Sequence, residues 1–208
     1  WRKRPDKQGP FFHMQSFGMS HESSLHFRKQ QMDVEQLTTR PDQVTLFPYH
    51  PDTPTFRYTA ARYHDRMHTI DQAIGRVIEQ LREDGLLENT FIFYFGDHGG
   101  VLPRSKGYIY ESGLHVPLVV HVPEKHRQLV AQQPGTRQDG FVRFIDFAPT
   151  VLHLAGVEVP GAMDGRPFLG PGVTIEEVEK RDEAFGHADR FDEKYDFCRS
   201  LRKGKYKY

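Results

Sequence analysis

The spacing of apolar residues predicts one long amphipathic helix near the middle of the chain. Seven apolar side chains recur at intervals of three or four residues with one adjacent pair: Tyr63, Met67, Ile70, Ile74, Val77, Ile78 and Leu81. This spacing places them on one face of a 3.6-residue helix. Gly85 follows as a predicted C-terminal cap, because glycine readily takes the left-handed conformation that ends many helices.

Continuous apolar runs predict strands on both sides of this helix. Residues 90–95 and 117–122 are apolar at nearly every position, as expected for central strands that helices cover on both faces. The aromatic run at 10–17 predicts a further buried strand that ends before His21. A short helix is predicted over 147–156, with Asp146 as its N-cap. This alternation predicts an α/β fold with a largely parallel central sheet sandwiched by helices.

Proline and glycine mark the irregular segments. Four prolines between positions 40 and 54 predict a surface loop. Beyond Pro160 the chain becomes rich in glycine and proline, and the acidic run at 176–183 is typical of a solvated surface. The last ten residues predict a hairpin that turns at Lys203-Gly204. We therefore divide the chain into a main domain, 1–160, and a linker with the start of a smaller C-terminal subdomain, 161–208.

Composition excludes several classes of function. The 208 residues contain 28 basic and 28 acidic side chains and carry no net charge, which argues against binding to nucleic acid or to an anionic membrane. The mean hydropathy is −0.66, and no stretch approaches the roughly 18 apolar residues of a membrane-spanning helix. The single cysteine, Cys198, excludes an internal disulfide. Since the chain starts at Trp1 without a methionine or a signal segment, we expect it to be part of a longer protein.

The strongest candidate for chemistry follows the strand predicted at 90–95. Ligands of α/β folds bind beyond the carboxyl ends of strands, and the segment Gly96-Asp97-His98-Gly99-Gly100 reaches that edge. A carboxylate next to an imidazole, flanked by glycines, is suited to hold a cation. The alternative is a simple turn in which Asp97 caps the loop and His98 is exposed. Lys106 follows nine residues after Asp97 and is a candidate anion contact, or otherwise a solvated lysine.

Several motifs in one order resemble the sulfatases of the alkaline phosphatase superfamily. The resemblance covers nearly the whole chain and looks closest to the heparan N-sulfatase-like members. The central motifs are Gly96-Asp97-His98-Gly99, Lys106-Gly107, Tyr110-Glu111-Ser112-Gly113 and Val116-Pro117-Leu118. Flanking motifs are Pro10-Phe11-Phe12 with His21, Asp71-Gln72-Ala73-Ile74-Gly75, Asp146-Phe147-Ala148-Pro149-Thr150, Met163-Asp164-Gly165-Arg166-Pro167 and the terminal 202–208.

The resemblance implies a role for four residues. Asp97 and His98 match two ligands of a divalent cation, usually calcium. Lys106 matches the lysine that contacts the sulfate, and His21 matches the histidine that touches the sulfate or its leaving group. A cation, an ammonium and an imidazolium at one place would stabilise the negative charge that develops during cleavage. Because calcium prefers oxygen ligands and many relatives have Asn at the position of His98, manganese and zinc are alternatives.

One part of the family's catalytic machinery does not occur in the 208 residues. Sulfatases of this type use a formylglycine made within a Cys/Ser-x-Pro/Ala-x-Arg motif. The nearest match, Cys198-Arg199-Ser200-Leu201-Arg202, has serine in place of proline or alanine. We therefore interpret residues 1–160 as the second half of a sulfatase catalytic domain, with the formylglycine expected in a part not present here. The 208-residue piece alone should be inactive.

The resemblance also gives expectations for substrate and compartment. The substrate would be a sulfuric ester or a sulfamate, on a small molecule or a saccharide, and the compartment would be periplasmic, extracellular or lysosomal. Two alternatives remain: a phosphodiesterase or phosphonate hydrolase of the same superfamily, and a non-catalytic fragment. The sequence indicates neither nucleic acid nor membrane as a partner, and it leaves the oligomeric state open.

Overall fold

A computed structural model describes residues 1–191 and 193–208, which form two compact units. The first unit spans Trp1–Val77 and the second spans Ile78–Tyr208. The boundary between them lies inside the longest helix of the chain. No helix within the two described ranges combines the length and apolar character needed to cross a membrane.

The first unit is largely irregular before its long helix. It contains α1 (Gln31–Val34), three short 3-10 helices, and the start of α2 (Pro54–Glu83). The strand predicted at 10–17 is wrong: these residues adopt no regular structure, and Phe12 is 79 % exposed. A strand needs a neighbour for its backbone groups, and no strand of the described residues pairs with this segment.

Helix α2 confirms the predicted periodicity and extends it toward the N-terminus. It begins at Pro54. Proline is favourable at the first helical position, because the N–H that it lacks would have no partner within the helix there. Its C-terminus closes as predicted: Gly85 has φ +66°, and the Leu86 N–H donates to the Leu81 carbonyl oxygen at 2.9 Å. The proline-rich segment before the helix is a loop, as predicted, apart from the 3-10 turn Pro41–Gln43.

In the second unit, β1 (Ile92–Phe95) and β2 (Leu118–His121) form a two-stranded sheet. The pair is antiparallel, with Ile92 opposite His121 and Phe95 opposite Leu118, so the expected parallel pairing is not found between these strands. The connection contains only turns and the one-turn helix α3 (Glu111–Leu114). Without a full crossover helix, the chain returns beside β1 in the opposite direction.

The core of the second unit lies under this sheet. Helix α4 (Phe147–Leu154) places Phe147 between Phe93 of β1, with ring centroids 6.2 Å apart, and Phe168, at 5.6 Å. Phe168 is 3 % exposed, and fully buried Val178 packs in the same cluster. Val178 lies on α5 (Ile175–Glu179) inside the acidic run, so that run exposes its carboxylates while it contributes to the core.

Asp146 does not cap α4 as predicted. A 3-10 helix, Phe144–Asp146, runs directly into α4 and leaves no room for a side-chain cap. The buried carboxylate instead accepts hydrogen bonds from the Arg143 N–H at 2.9 Å and from the Arg166 N–H at 2.9 Å. Asp146 therefore joins two loops around the core.

A second sheet occupies the C-terminal part of the unit. Its antiparallel strands are β3 (Glu183–Phe191), β4 (Lys194–Lys203) and β5 (Tyr206–Lys207). The hairpin predicted at Lys203-Gly204 is confirmed, with Gly204 at φ +53°. The sequence pattern does not predict strand β3, because the strand contains glycine and aspartate, which are poor strand formers.

Candidate functional site

Asp97 and His98 lie in a tight turn that directly follows β1. Two backbone hydrogen bonds hold the turn, from the Gly96 N–H to the Pro117 carbonyl oxygen at 3.3 Å and from the Gly99 N–H to the Gly113 carbonyl oxygen at 2.9 Å. A Cβ on Gly99 would overlap the carbonyl of Ser112. The turn therefore requires glycine at this close approach of two backbone segments.

The hydrogen bond of the His98 ring determines which of its nitrogens is available. Nδ1 lies 2.7 Å from the carbonyl oxygen of Gly99. Since a carbonyl oxygen only accepts, Nδ1 must carry the proton and donate. In the neutral ring, Nε2 then presents its lone pair. The Nε2 atom lies 3.9 Å from Oδ1 of Asp97.

This arrangement fits two ligands of one divalent cation. Two ligands of the same calcium ion lie at most roughly 5 Å apart, which the 3.9 Å separation satisfies. The Asp97 side chain is 86 % exposed and so is accessible to an ion. Within the described part of the chain, no cluster of three or more His, Cys, Asp or Glu side chains forms a complete metal site. Asp97 and His98 thus offer two candidate ligands.

Lys106 belongs to the same loop system. Its backbone N–H donates to the carbonyl oxygen of Gly100 at 2.9 Å, which ties the lysine backbone to the end of the Asp97–His98 turn. The side chain is half-buried. The structure thus brings together three of the four predicted site residues on the connection between β1 and β2, while their chemical roles stay predictions.

His21, the fourth predicted residue, lies in the first unit and caps the 3-10 helix Glu22–Leu25. Its Nδ1 accepts from the Ser23 N–H at 3.3 Å and lies 2.9 Å from the Ser23 hydroxyl. The neutral ring therefore carries its proton on Nε2, the opposite tautomer to that of His98. The side chain is about half exposed, and its Nε2–H is a potential donor.

Buried Arg62 supports the helix that His21 caps. From α2, its guanidinium donates to the Ser24 carbonyl oxygen at 3.2 Å and to the carboxylate of Glu35. Glu35 also accepts from the Tyr58 hydroxyl. Burial, together with this hydrogen bond to a carboxylate, raises the pKa of Tyr58. The cluster holds the backbone beside His21 in place.

Glu111 connects α3, next to the candidate site, with the C-terminal sheet. The Lys207 ammonium donates to Glu111 Oε1 at 2.9 Å and also to the carbonyl oxygen of Ile109. Arg202 approaches Oε2 at 4.0 Å. Partial burial opposes ionisation of Glu111, but the hydrogen bond from Lys207 and the nearby positive charges outweigh it and lower the pKa. Glu111 therefore links the two segments through ion pairs.

We expect Glu111→Gln to lower the free energy of unfolding at neutral pH by about 0.5 to 1 kcal/mol, since solvent screens this half-exposed pair. Because folding lowers the pKa of Glu111, its contribution is complete above the unfolded value near 4.5 and disappears as the pH falls through the folded value. Urea unfolding of wild type and variant, at neutral pH and at about pH 3, measures this. The control is exposed Glu158→Gln; an equal difference at both pH values would contradict the assignment.

Cys198 does not have the surroundings of a nucleophile. It lies on β4, and its thiol donates to the Asp196 carboxylate at 3.1 Å. This hydrogen bond is the main cause of a raised pKa for Cys198, which disfavours the reactive thiolate. The structure therefore agrees with the sequence-based rejection of this residue as nucleophile.

This chain is similar to known proteins in both sequence and structure. The sulfatase family model matches residues 3–157. An ulvan-active sulfatase of Formosa agariphila is 32 % identical over an alignment that covers 100 % of this chain and 38 % of the relative. Human N-sulphoglucosamine sulphohydrolase is 29 % identical over 55 % of this chain and 22 % of its own. This chain thus spans less than half the length of these relatives.

One solved structure shares the fold over most of the chain. It is a protein in complex with its substrate D-glucosamine-2-N,6-O-disulfate, 25 % identical, with a TM-score of 0.59 over 74 % of this chain and 32 % of that chain. The match confirms the predicted α/β class of the alkaline phosphatase superfamily.

Proposed function

Because this chain belongs to the sulfatase family, we propose that the full protein hydrolyses sulfuric esters or sulfamates. This chain supplies the cation-binding and sulfate-binding loop of that enzyme. The observation that carries the proposal is the single loop system after β1, where Asp97 and His98 offer two metal donors and Lys106 is tied to the same turn.

The residues of this loop are matched to the charge of a sulfate ester. Negative charge grows on the oxygens and on the leaving group as the ester is cleaved, and a nearby ammonium and cation stabilise it. Asp97 and His98 would hold a divalent cation, which supplies Lewis-acid stabilisation of that charge when bound. We propose calcium, with manganese and zinc as alternatives because of the imidazole ligand.

Lys106 and His21 have separate tasks in this proposal. The Lys106 ammonium binds and orients the sulfate. His21 presents an Nε2–H donor, because Nδ1 accepts from the Ser23 N–H, and this N–H can hydrogen-bond the leaving-group oxygen and stabilise the negative charge that grows there. The nucleophile is the formylglycine implied by the resemblance; no segment of the 208 residues has its Cys/Ser-x-Pro/Ala-x-Arg motif.

We propose a sulfated saccharide as the substrate class and an exported or lysosomal compartment. The names of two relatives refer to ulvan and to N-sulphoglucosamine, and the matched structure contains a glucosamine disulfate. These descriptions belong to those proteins and support the saccharide class for this one.

The test is sulfate release by the full protein, loaded with calcium and then with manganese. We expect turnover of an aryl sulfate and of sulfated saccharides, with phosphate and phosphonate esters of the same alcohols turned over at least about 100-fold more slowly. Released sulfate is measured by ion chromatography. Faster hydrolysis of the phosphonate ester would favour the phosphonate hydrolase alternative, and no hydrolysis of any ester would support a non-catalytic protein.

A further inference from the structure

Three exposed side chains of the loop that contains Lys106 and one from the end of β3 form an aromatic and cationic surface. We call Arg104, Tyr108, Tyr110 and Phe191 the aromatic platform. The Tyr108 and Phe191 rings stack with centroids 5.2 Å apart, and Tyr108 lies 6.0 Å from Tyr110. The Arg104 guanidinium lies over the Tyr110 ring at 4.2 Å. Each aromatic ring retains about two fifths of its surface in solvent.

The local backbone is shaped to bring these side chains together. Arg104 has φ +70°, the left-handed region that non-glycine residues rarely adopt, and the Ser112 hydroxyl donates to its carbonyl oxygen at 2.6 Å. Gly107 has φ +83°, and a Cβ there would overlap the Phe191 ring. The tip of β3 therefore rests against the backbone next to Lys106. Strain of this kind is often found at functional positions.

We propose that the aromatic platform binds the sugar of a saccharide substrate that carries a second anionic group besides the sulfate to be cleaved. This inference rests on the proposed function and adds the residues that select its substrate. Aromatic faces offer a sugar ring a flat apolar contact. The guanidinium of Arg104 pairs with a carboxylate or a second sulfate, which match its donor geometry.

Lys106 and most of the platform belong to the same loop. Tyr108 follows Lys106 by two residues, and the Lys106 backbone is hydrogen bonded to Gly100 beside the Asp97–His98 turn. A sulfate bound at Lys106 would place the attached sugar close to the loop that carries Arg104, Tyr108 and Tyr110. The platform thus recognises the part of the substrate that does not react.

The experiment uses the full protein and three substrates: an aryl sulfate, a singly sulfated saccharide, and the same saccharide with an added carboxylate or sulfate. We expect Arg104→Gln to lower the kcat/KM of the doubly anionic saccharide, relative to that of the aryl sulfate, by about 10- to 100-fold. For Tyr108→Leu and Phe191→Leu we expect the kcat/KM of both saccharides to fall about 5-fold relative to that of the aryl sulfate.

The matched control is Phe197→Leu, on the same hairpin. Phe197 is 71 % exposed and stacks on Tyr195, apart from the platform, so we expect these ratios to be unchanged. Near-ultraviolet circular dichroism of each variant shows whether it is folded. An equal loss on all three substrates in a folded Arg104→Gln variant, or no loss on any, would overturn the proposal.

Failure of the proposed function can be separated from failure of this inference. If the wild type cleaves none of the three substrates, titration calorimetry measures the affinity of wild type and Arg104→Gln for the doubly anionic saccharide, and this affinity tests the platform. Binding that Arg104→Gln weakens about 10-fold or more supports the platform without any catalysis. Absence of binding to the wild type, or equal binding to both proteins, contradicts it.

Discussion

Replacement of Lys106 by alanine is expected to lower kcat/KM for a sulfate ester by about 100- to 1000-fold, the usual effect of removing one group that stabilises charge in a transition state. The loss should be larger in kcat than in KM, because the ester gains negative charge as it reacts. Steady-state kinetics of the full protein with an aryl sulfate measure both constants.

Two further variants separate the charge of Lys106 from its packing. Lys106→Arg keeps a cation and should recover part of the lost rate, although the guanidinium has a different shape. Lys125→Ala removes another exposed lysine of the same unit and should leave kcat/KM unchanged. If folded Lys106→Ala retained more than about a third of the wild-type rate, an effect below 1 kcal/mol, Lys106 would not be the sulfate contact.

Removal of the Asp97 carboxylate is the second change with a large expected effect. We expect Asp97→Ala to weaken the affinity of the full protein for its divalent cation by more than about 100-fold, since loss of a direct ligand should exceed the effect of its outer-shell partners. Equilibrium dialysis of the chelator-treated protein measures this affinity without any assay of activity. The control is Asp139→Ala, another exposed carboxylate of the same unit. Unchanged affinity in Asp97→Ala would contradict the proposed cation site.

His98 distinguishes between the candidate cations. In His98→Asn an amide oxygen replaces the Nε2 lone pair, so calcium should bind more tightly relative to manganese and zinc. A ring that lies beside the ion without ligating it would give no change in this preference. The same dialysis with each of the three ions separates these outcomes.

The sequence predicts the elements that depend on local patterns. The spacing of its apolar residues predicts helix α2. The cap at Gly85 is predicted because glycine readily takes a positive φ, which is +66° here. The position of Asp97 and His98 at the end of β1 was also predictable, because they directly follow a continuous apolar run, while their role stays a prediction. Lys106 was predicted from its spacing and from the family motif, and the structure adds its hydrogen bond to Gly100.

The elements that depend on distant partners were not predictable in this way. Residues 10–17 have strand-forming side chains but pair with no strand of the described part of the chain, whereas β3 contains Gly186 and Asp189 and is held by its pairing with β4. The antiparallel direction of β1 and β2 depends on the path of the connection between them. The tautomers of His21 and His98 likewise depend on which atom each Nδ1 meets.

The backbone hydrogen bonds around Asp97 and His98 affect how the substrate specificity of such a protein can evolve. Main-chain atoms of Gly96, Gly99 and Lys106 hold the turn, and those bonds do not depend on which side chains occupy the intervening positions. Under the proposed role of the aromatic platform, mutations at Arg104 or Tyr108 would alter which substrate is recognised while the geometry of the turn is kept. Gly99 has no such freedom, because any Cβ would meet the Ser112 carbonyl. Libraries for new specificities should accordingly vary 104, 108 and 110 and leave the glycines of the turn intact.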